Sequence, residues 1–483
     1  MNIQPELNIR MPKLLLTVSL ILISGLSGLR AQEVRKWTLK ECVDVALENN
    51  LRIKRSSFAV ETSKANLLQA KGQFLPTVNA FGAYTKNYGR ALNPTTNLFV
   101  DRNSTAISPS VNGNLPLFQG LRIQNSFKQN QRDLLASNED LLKAKNDVML
   151  NVVTLYINVI FNKELLDNSR YQLNSSLQQL DRIKKQVEAG SLAMTNQLNQ
   201  EAQVATNELN VINQENALNL SILQLKQSMQ IPASEPLDVD IPVVPESDLI
   251  LDSNPESIYQ QAVSSMPEIR ASILRVESAE YALKAARGSY YPRLGLAGTV
   301  SSNSSDLNSL RIPTGTTSQV PIGVTQSGET VFTSVNDVTT EKYSHNQQLE
   351  DNVFRNFALQ LNIPILNGFA TRSGVQRAKI NQELANITVK ETQNTLRQTI
   401  ETAYNDALAA IRSYNASTKQ VNAQEEAFRM NKQRFDVGAL NIIEFQISEN
   451  DLFRAKSDLT RAKYNFIFRK KVLDFYQGKP IEY

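Results

Sequence analysis

Two uninterrupted helical stretches constrain this chain more than anything else in it. Arg122 to Glu188 contains neither Pro nor Gly, and the same is true of Val375 to Val437. At 1.5 Å per residue, a helix of about 65 residues is roughly 100 Å long. A helix of that length does not fit inside an ordinary globular domain, so the chain must build extended rods. Both stretches are dense in Asn, Gln, Ser, Thr, Lys and Glu. A helix that is polar nearly all round needs a partner or a water-filled face. A tube of helices enclosing water satisfies that demand, and so does a solvated coiled coil.

The rods sit at equivalent places in an internal duplication. Displaced by 216 positions, Ala70-Lys71-Gly72-Gln73-Phe74-Leu75-Pro76 falls on Ala286-Arg287-Gly288-Ser289-Tyr290-Tyr291-Pro292, and Gly82 falls on Gly298. Displaced by 248, Asn114-Leu115-Pro116-Leu117-Phe118-Gln119-Gly120 falls on Asn362-Ile363-Pro364-Ile365-Leu366-Asn367-Gly368. In that second register Tyr156 meets Tyr404, Gly190 meets Gly438, Leu192 meets Leu440 and Leu225 meets Leu473. The registers differ by 32 residues, which lie between Gly298 and Asn362. That stretch is rich in Ser, Thr, Gly and Asn and reads as an enlarged surface loop over 301–350.

The duplication gives the organisation: a leader at 1–31, a first repeat at 32–231, a linker at 232–254 and a second repeat at 255–483. Pro232, Pro236, Pro242 and Pro245 mark the linker, dense enough to block helix and central strand alike. Each repeat runs helix (41–72, then 255–288), two strands, long rod, returning helix (195–230, then 442–477). The rods stop at Gly190 and Gly438, where a left-handed residue can close a helix at little cost. Asn441 followed three residues later by Glu444 resembles a capping box that restarts the last helix.

The strands decide the class. Phe357, Leu359, Leu361, Ile363 and Ile365 alternate with Ala358, Gln360, Asn362 and Pro364, a period of two with one apolar face. The first-repeat strands, near 76–88 and 107–118, alternate less cleanly. Four strands per chain cannot close a barrel, and open edges are not tolerated in lipid. The smallest membrane barrels have about eight strands, so a pore requires several copies; three would supply 12 strands. A soluble α+β protein with a helical stalk and a small sheet fits the same pattern.

The N-terminus has the layout of a cleaved secretory signal. Arg10 and Lys13 precede an apolar run from Leu14 to Leu26, and Leu29-Arg30-Ala31 offers a small residue before Gln32. Met11 would serve equally as the start. No second apolar run of about 18 residues is expected beyond it. The single cysteine, Cys42, excludes an intrachain disulfide framework. The net charge of +4 is spread without a basic patch, which leaves nucleic-acid binding without a footprint. One histidine, His345, and one cysteine allow no Cys/His metal spacing. There is no phosphate-binding Gly-rich loop and no nucleophile elbow, so neither an enzyme nor a cofactor is expected.

Several segments resemble the TolC family of outer-membrane factors. Trp37-Thr38-Leu39-Lys40-Glu41-Cys42-Val43-Asp44-Val45-Ala46-Leu47-Glu48-Asn49-Asn50 resembles the family's opening helix. The two Pro-containing corners ending at Gly120 and Gly368 resemble its strand-to-helix corners. Phe435-Asp436-Val437-Gly438-Ala439-Leu440 resembles its hairpin tip. The resemblance implies an α+β membrane protein: a homotrimer whose 12-stranded β-barrel sits in outer-membrane lipid, continued by a periplasmic α-helical barrel. It implies a passive efflux or type I secretion duct, with a periplasmic adaptor protein and an inner-membrane pump as partners. By position, the gate would fall on Glu444, Asn196 and Phe435. The second gate carboxylate is replaced by Ile447 and the tip arginine by Leu440. Gly190, Leu192, Gly438 and Leu440 would form the adaptor-docking tips. The rival reading is a secreted coiled-coil stalk or adhesin, which would have no use for duplicated strand pairs with matching corners. A passive diffusion porin would carry many more strands per chain and no such rods.

Overall fold

In a computed structural model the described residues are 36–93, 95–241 and 254–479. The expected leader, Pro242 and Pro245 lie outside them. Thr38 opens the first helix, α1 (Leu39–Asn49), through a reciprocal capping box. The Thr38 backbone N–H donates to Glu41 Oε2 at 2.9 Å, and the Glu41 N–H donates to Thr38 Oγ1 at 3.3 Å. The helix expected over 41–72 is broken at Asn50, and α2 follows (Leu51–Gly72). Asn50 takes an extended conformation, accepts the Arg52 N–H and donates Nδ2 to the Ser228 carbonyl. The second repeat breaks at the equivalent Met266, between α5 (Pro255–Ser265) and α6 (Pro267–Arg287). The cause there is local: a residue before proline is pushed out of the helical region, and Pro267 starts the next helix without a missing donor.

The long rods form as expected. They are α3 (Arg122–Glu188) and α8 (Ala370–Asp436), each 67 residues. The returning helices are α4 (Met194–Met229) and α9 (Ile442–Tyr476).

The chain divides into two compact units, and neither follows the repeat boundary. One contains the described residues up to Val60, then Ser137–Ala271, then those from Val389 onward; apart from one short strand pair it is helical. Its packing carries the duplication. Cys42, Ala46 and Ile53 pack with Val148, Val152 and Leu225 in one cluster. Ile258, Ala262 and Ile269 pack with Leu396, Ile400 and Leu473 in another. These are the same positions displaced by 216 and 248, so each repeat builds its own copy of one core.

Two sequence expectations change in this unit. An apolar window within α3 is long and apolar enough to cross a membrane, contrary to the expectation that none follows the leader. Its residues Val148, Val152, Val153, Tyr156, Val159 and Ile160 are buried in the first cluster, which accounts for their hydropathy. The linker, read as too proline-rich for strand, contributes the two-residue β6 (Asp238–Val239), which pairs in parallel with β1 (Lys36–Trp37). It forms between the prolines, and Tyr156 Oη donates into the same place, to the carbonyls of Trp37 and Asp240.

The other unit holds Glu61–Ala136 and Ser272–Thr388. Its sheet is antiparallel, with β2 (Thr77–Asn87), β5 (Ser104–Gln119), β7 (Arg293–Ser301) and β11 (Phe354–Asn362) in the order β11-β7-β5-β2. Short β3 (Arg90–Asn93) pairs with β4 (Leu98–Asp101), and β8 (Ser304–Ser305) pairs with β5. The insertion read as an enlarged surface loop over 301–350 has regular structure of its own. It folds as a long two-stranded ribbon, β9 (Ser309–Val324) with β10 (Thr330–Lys342), followed by the short helix α7 (His345–Asp351). The Thr and Val that enrich it are β-branched and favour extended backbone.

Candidate functional site

The sheet has two chemically opposite faces. Opposed residues share a face in an antiparallel ladder, so the register assigns every side chain. One face carries Val78 and Tyr84 of β2, Val111 and Leu115 of β5, Leu294, Leu296 and Val300 of β7, and Phe357, Leu359 and Leu361 of β11. The other carries Thr77, Asn79 and Thr85, then Ser110, Asn112 and Asn114, then Thr299, then Asn356 and Gln360. Phe81 and Phe354 are the exceptions on this polar face, and Lys86 and Arg355, towards one end of the strands, are the exceptions on the apolar one. Thr299 Oγ1 donates to Asn112 Oδ1 across it at 3.1 Å.

The apolar face is uncovered. Phe357 is 80% exposed, Leu359 66% and Leu361 61%. Large apolar side chains repeated across four strands without a covering layer mark an interaction surface. Both outer strands, β2 and β11, have no partner on their outer edge among the described residues. On the apolar face the Phe357 ring lies over Gly298, where an added Cβ would stand 3.2 Å from Cδ1 and Cε1. Pairing an aromatic side chain with a cross-strand glycine restores packing that the glycine lacks.

The second candidate region is the pair of helix–helix turns at Gly190 and Gly438. Both glycines are left-handed, with φ of 73° and 77°. Each N–H reaches back three residues, Gly190 to Val187 and Gly438 to Phe435, and the next N–H reaches back five, Ser191 to Gln186 and Ala439 to Arg434. No L side chain is at ease at that φ, which explains glycine at both positions. Beneath the turns, Ile183, Leu440, Ile442 and Phe445 form a small buried cluster, with Val187, Leu192, Phe428 and Phe435 packed on it. Phe435 stacks on Phe445 with ring centroids 4.6 Å apart, and Phe428 tilts against Phe445 at 5.6 Å. Arg182 pairs with Asp436 at 2.7 Å on the surface nearby.

The residues expected to form a gate and docking tips therefore divide. Leu440 is buried and Leu192 half-buried, so both face the cluster rather than projecting as knobs. Gly190 and Gly438 are exposed with open space around them, and Val437 beside Gly438 is 79% exposed. Phe435 is half-buried in the aromatic stack. Glu444 is exposed and occupied as a cap: its N–H donates to Asn441 Oδ1 at 2.8 Å, and Asn441 Nδ2 donates to its carboxylate at 3.0 Å. Asn196, half-buried, is the residue that the 248 displacement superposes on Glu444. Ile447 is exposed one turn beyond.

Sequence reasoning missed a layer of buried polar contacts linking the coils a few turns from these ends. Gln446 Nε2 donates to Gln200 Oε1, whose own Nε2 donates to the Ser176 carbonyl, while Asn207 Nδ2 donates to Ser176 Oγ. Gln172 bridges to Asn450, and Asn431 to Ser448. Ser175 donates to Glu449 Oε1 at 2.5 Å. Burial raises the Glu449 carboxyl above its ordinary range, opposed by the Ser175 hydrogen bond and the Lys432 charge. The available signal was polar residues falling on the core stripe of a helix, which only tertiary pairing makes readable. Burial likewise pushes the Cys42 thiol up to about 12, which marks an inert core residue. Among the described residues no group of three or more His, Cys, Asp or Glu is placed to hold a metal ion.

Comparison with known proteins gives consistent matches along nearly the whole chain. The profile of the family described as Outer membrane efflux protein matches residues 42–229 and 258–469. The chain is 22% identical to the outer membrane efflux protein BepC of Brucella suis biovar 1 over 456 residues, 94% of this chain and 87% of that one. It is also 22% identical to the outer membrane protein TolC of Escherichia coli K12 over 467 residues, 95% and 85% of the two chains. Among solved structures, the outer membrane protein VceC of Vibrio cholerae superposes with a TM-score of 0.71 at 12% identity, covering 92% of this chain and 97% of that one.

Proposed function

Because this chain belongs to the outer membrane efflux protein family, we propose that three copies assemble into a passive duct whose strands form a closed 12-stranded barrel in the outer membrane. The observation that carries the reading is the two-faced sheet with free edges. Its apolar face suits lipid, its polar face suits a water-filled lumen, and its edges require partners that only other copies supply. The polar helices provide the periplasmic part of the duct, where a water-filled interior accounts for their Asn, Gln, Ser and Thr. The β9–β10 ribbon belongs on the extracellular side, where barrels carry their long loops.

The duct receives cargo from an inner-membrane efflux or secretion pump through a periplasmic adaptor. The adaptor engages the turns at Gly190 and Gly438. Their exposed backbone, with Val437, offers the contact surface, while Leu192 and Leu440 hold the turns from beneath. Phe435 stiffens this end, and Glu444 and Asn196 form the polar constriction, one from each repeat. Capping and pore lining are compatible at Glu444, since its second carboxylate oxygen remains available.

The mass of the protein extracted in mild detergent tests the assembly. Three chains, lost from solution on detergent removal, is the expected result; a detergent-independent monomer or dimer would return the chain to the stalk reading. Glu444→Gln tests the constriction: loss of cation preference or of block by multivalent cations is expected, and unchanged conductance would remove Glu444 from the pore.

A further inference from the structure

The internal duplication relates the two outer strand edges of this chain to a joint already made inside it. The two strand hairpins of one chain are copies in register as well as sequence. Thr77 opposes Asn114 and Gly82 opposes Pro109 in the first, while Arg293 opposes Asn362 and Gly298 opposes Phe357 in the second. Displacing β2 by 216 and β5 by 248 converts the first set of pairs into the second. The chain also contains one joint between hairpins, where β5 of the first meets β7 of the second: Val111 opposes Val300, Gly113 opposes Gly298 and Leu115 opposes Leu296. After a bulge at Leu117, Phe118 opposes Leu294.

The outer edges of β11 and β2 are the duplicated counterparts of that joint, and the chain leaves them unused. β5 remains a strand through Gln119 because β7 pairs with it beyond the end of β2, whereas β11 stops at Asn362. Ile363, Ile365 and Leu366, the counterparts of Leu115, Leu117 and Phe118, are 56%, 93% and 87% exposed. The corner beyond them is nevertheless formed. Gly368 and Phe369 have φ of 59° and 63°, matching 61° and 63° at Gly120 and Leu121.

A glycine pair points the same way. Gly120 and Gly288 meet so closely that a Cβ on Gly120 would lie 2.1 Å from the Gly288 carbonyl oxygen, and one on Gly288 would lie 2.6 Å from that of Gly120. Their counterparts, Gly368 and Gly72, have nothing within 4 Å of a built Cβ. Within the chain, space gives no reason for glycine at Gly72.

We infer that β11 of one copy pairs antiparallel with β2 of the next, with Leu359 opposite Tyr84, Leu361 opposite Gly82 and Ile363 opposite Ala80, and that Gly368 packs on Gly72 of that neighbour. The inference rests on the oligomeric barrel proposed above and specifies its seam. The pairing extends β11 by the residues whose backbone lacks a ladder and joins one edge to a different edge. A head-to-tail joint of that kind builds a ring where its rotation closes, and not a two-fold dimer.

Cysteine pairs test the register, because directly opposed antiparallel residues lie within disulfide reach. In a chain carrying Ala80→Cys and Ile363→Cys, oxidation by copper phenanthroline should link copies into a covalent ring, seen as a reducible ladder ending at the full oligomer on denaturing gels. Ala80→Cys with Asn362→Cys places the thiols on opposite faces and should give at least tenfold less. Separately, Gly72→Ala should lower the yield of detergent-extracted oligomer at least tenfold, while Gly323→Ala, equally unobstructed in the chain, should leave it unchanged. Equal cross-linking of both cysteine pairs, or a normal oligomer from Gly72→Ala, would overturn the register. An unmutated protein that extracts as a monomer would instead overturn the barrel reading beneath it.

Discussion

The small aromatic cluster under the turns offers a sharp test of how the helical ends are held. Phe445 is 5% exposed and touches two other rings, Phe435 at 4.6 Å and Phe428 at 5.6 Å. Removing a buried phenylalanine ring typically costs about 3–5 kcal/mol, through lost burial and the cavity left behind. The end of a helical hairpin opens locally before the whole molecule unfolds, so the loss should appear there first. At 1.4 kcal/mol per factor of ten, Phe445→Ala should speed amide exchange by roughly two to three and a half powers of ten. The affected amides should be those of residues 183–192 and 428–445, with the amides around Val152 and Ile400 unchanged. Phe445→Leu keeps most of the volume and should cost under about 1.5 kcal/mol. Hydrogen exchange by mass spectrometry on the detergent-solubilised protein separates these cases. If protection in 183–192 and 428–445 is the same in Phe445→Ala as in the unmutated protein, the cluster does not hold the hairpin ends together.

Two further tests address the sheet and the buried polar layer. Leu359→Arg puts a charge on the apolar face and should cost about 2–4 kcal/mol if that residue lies near the bilayer midplane; its neighbour Gln360→Arg, on the polar face, should be assembled normally, as measured by the outer-membrane yield of each variant. For Glu449, whose folded carboxyl titrates above its ordinary value of 4.5, the native state holds its proton more tightly than the unfolded state. Its contribution to stability is therefore complete below the ordinary carboxylate range and is lost as pH rises through the raised value. Glu449→Gln keeps an acceptor for Ser175 and should raise stability at pH 8 by on the order of 1–3 kcal/mol, read as a higher thermal midpoint, with little change at pH 4. A variant destabilised at pH 8 but unchanged at pH 4 would show that the carboxylate is needed in its charged form, against this reasoning.

Much of the site was legible because the sequence repeats itself. Runs without Pro or Gly specify helix, since those two residues are the ones that break it, and Gly190 and Gly438 mark the turns because only glycine sits easily at positive φ. The period of two in Phe357, Leu359 and Leu361 specifies one apolar face from local geometry alone. In β2 and β5 the alternation is diluted by Ala80, Gly82, Pro109 and Gly113, so only the ladder register assigns their faces.

What the sequence could not decide depends on which distant residues meet. Leu440 reads as an exposed tip by its position beside a turn, yet it is buried because Ile183, from the distant helix α3, joins it and Phe445 in one cluster. The insertion's loop-like composition conceals a paired ribbon, since β9 and β10 satisfy one another's backbone groups and no local pattern announces the partner. The apolar window in α3 has the hydropathy of a membrane span, and only the residues packed around Val152 and Tyr156 make it a core instead. Period and propensity act over one or two turns of chain, and they set the elements here. Burial and register are properties of pairs far apart in sequence, and they were settled when the chain folded.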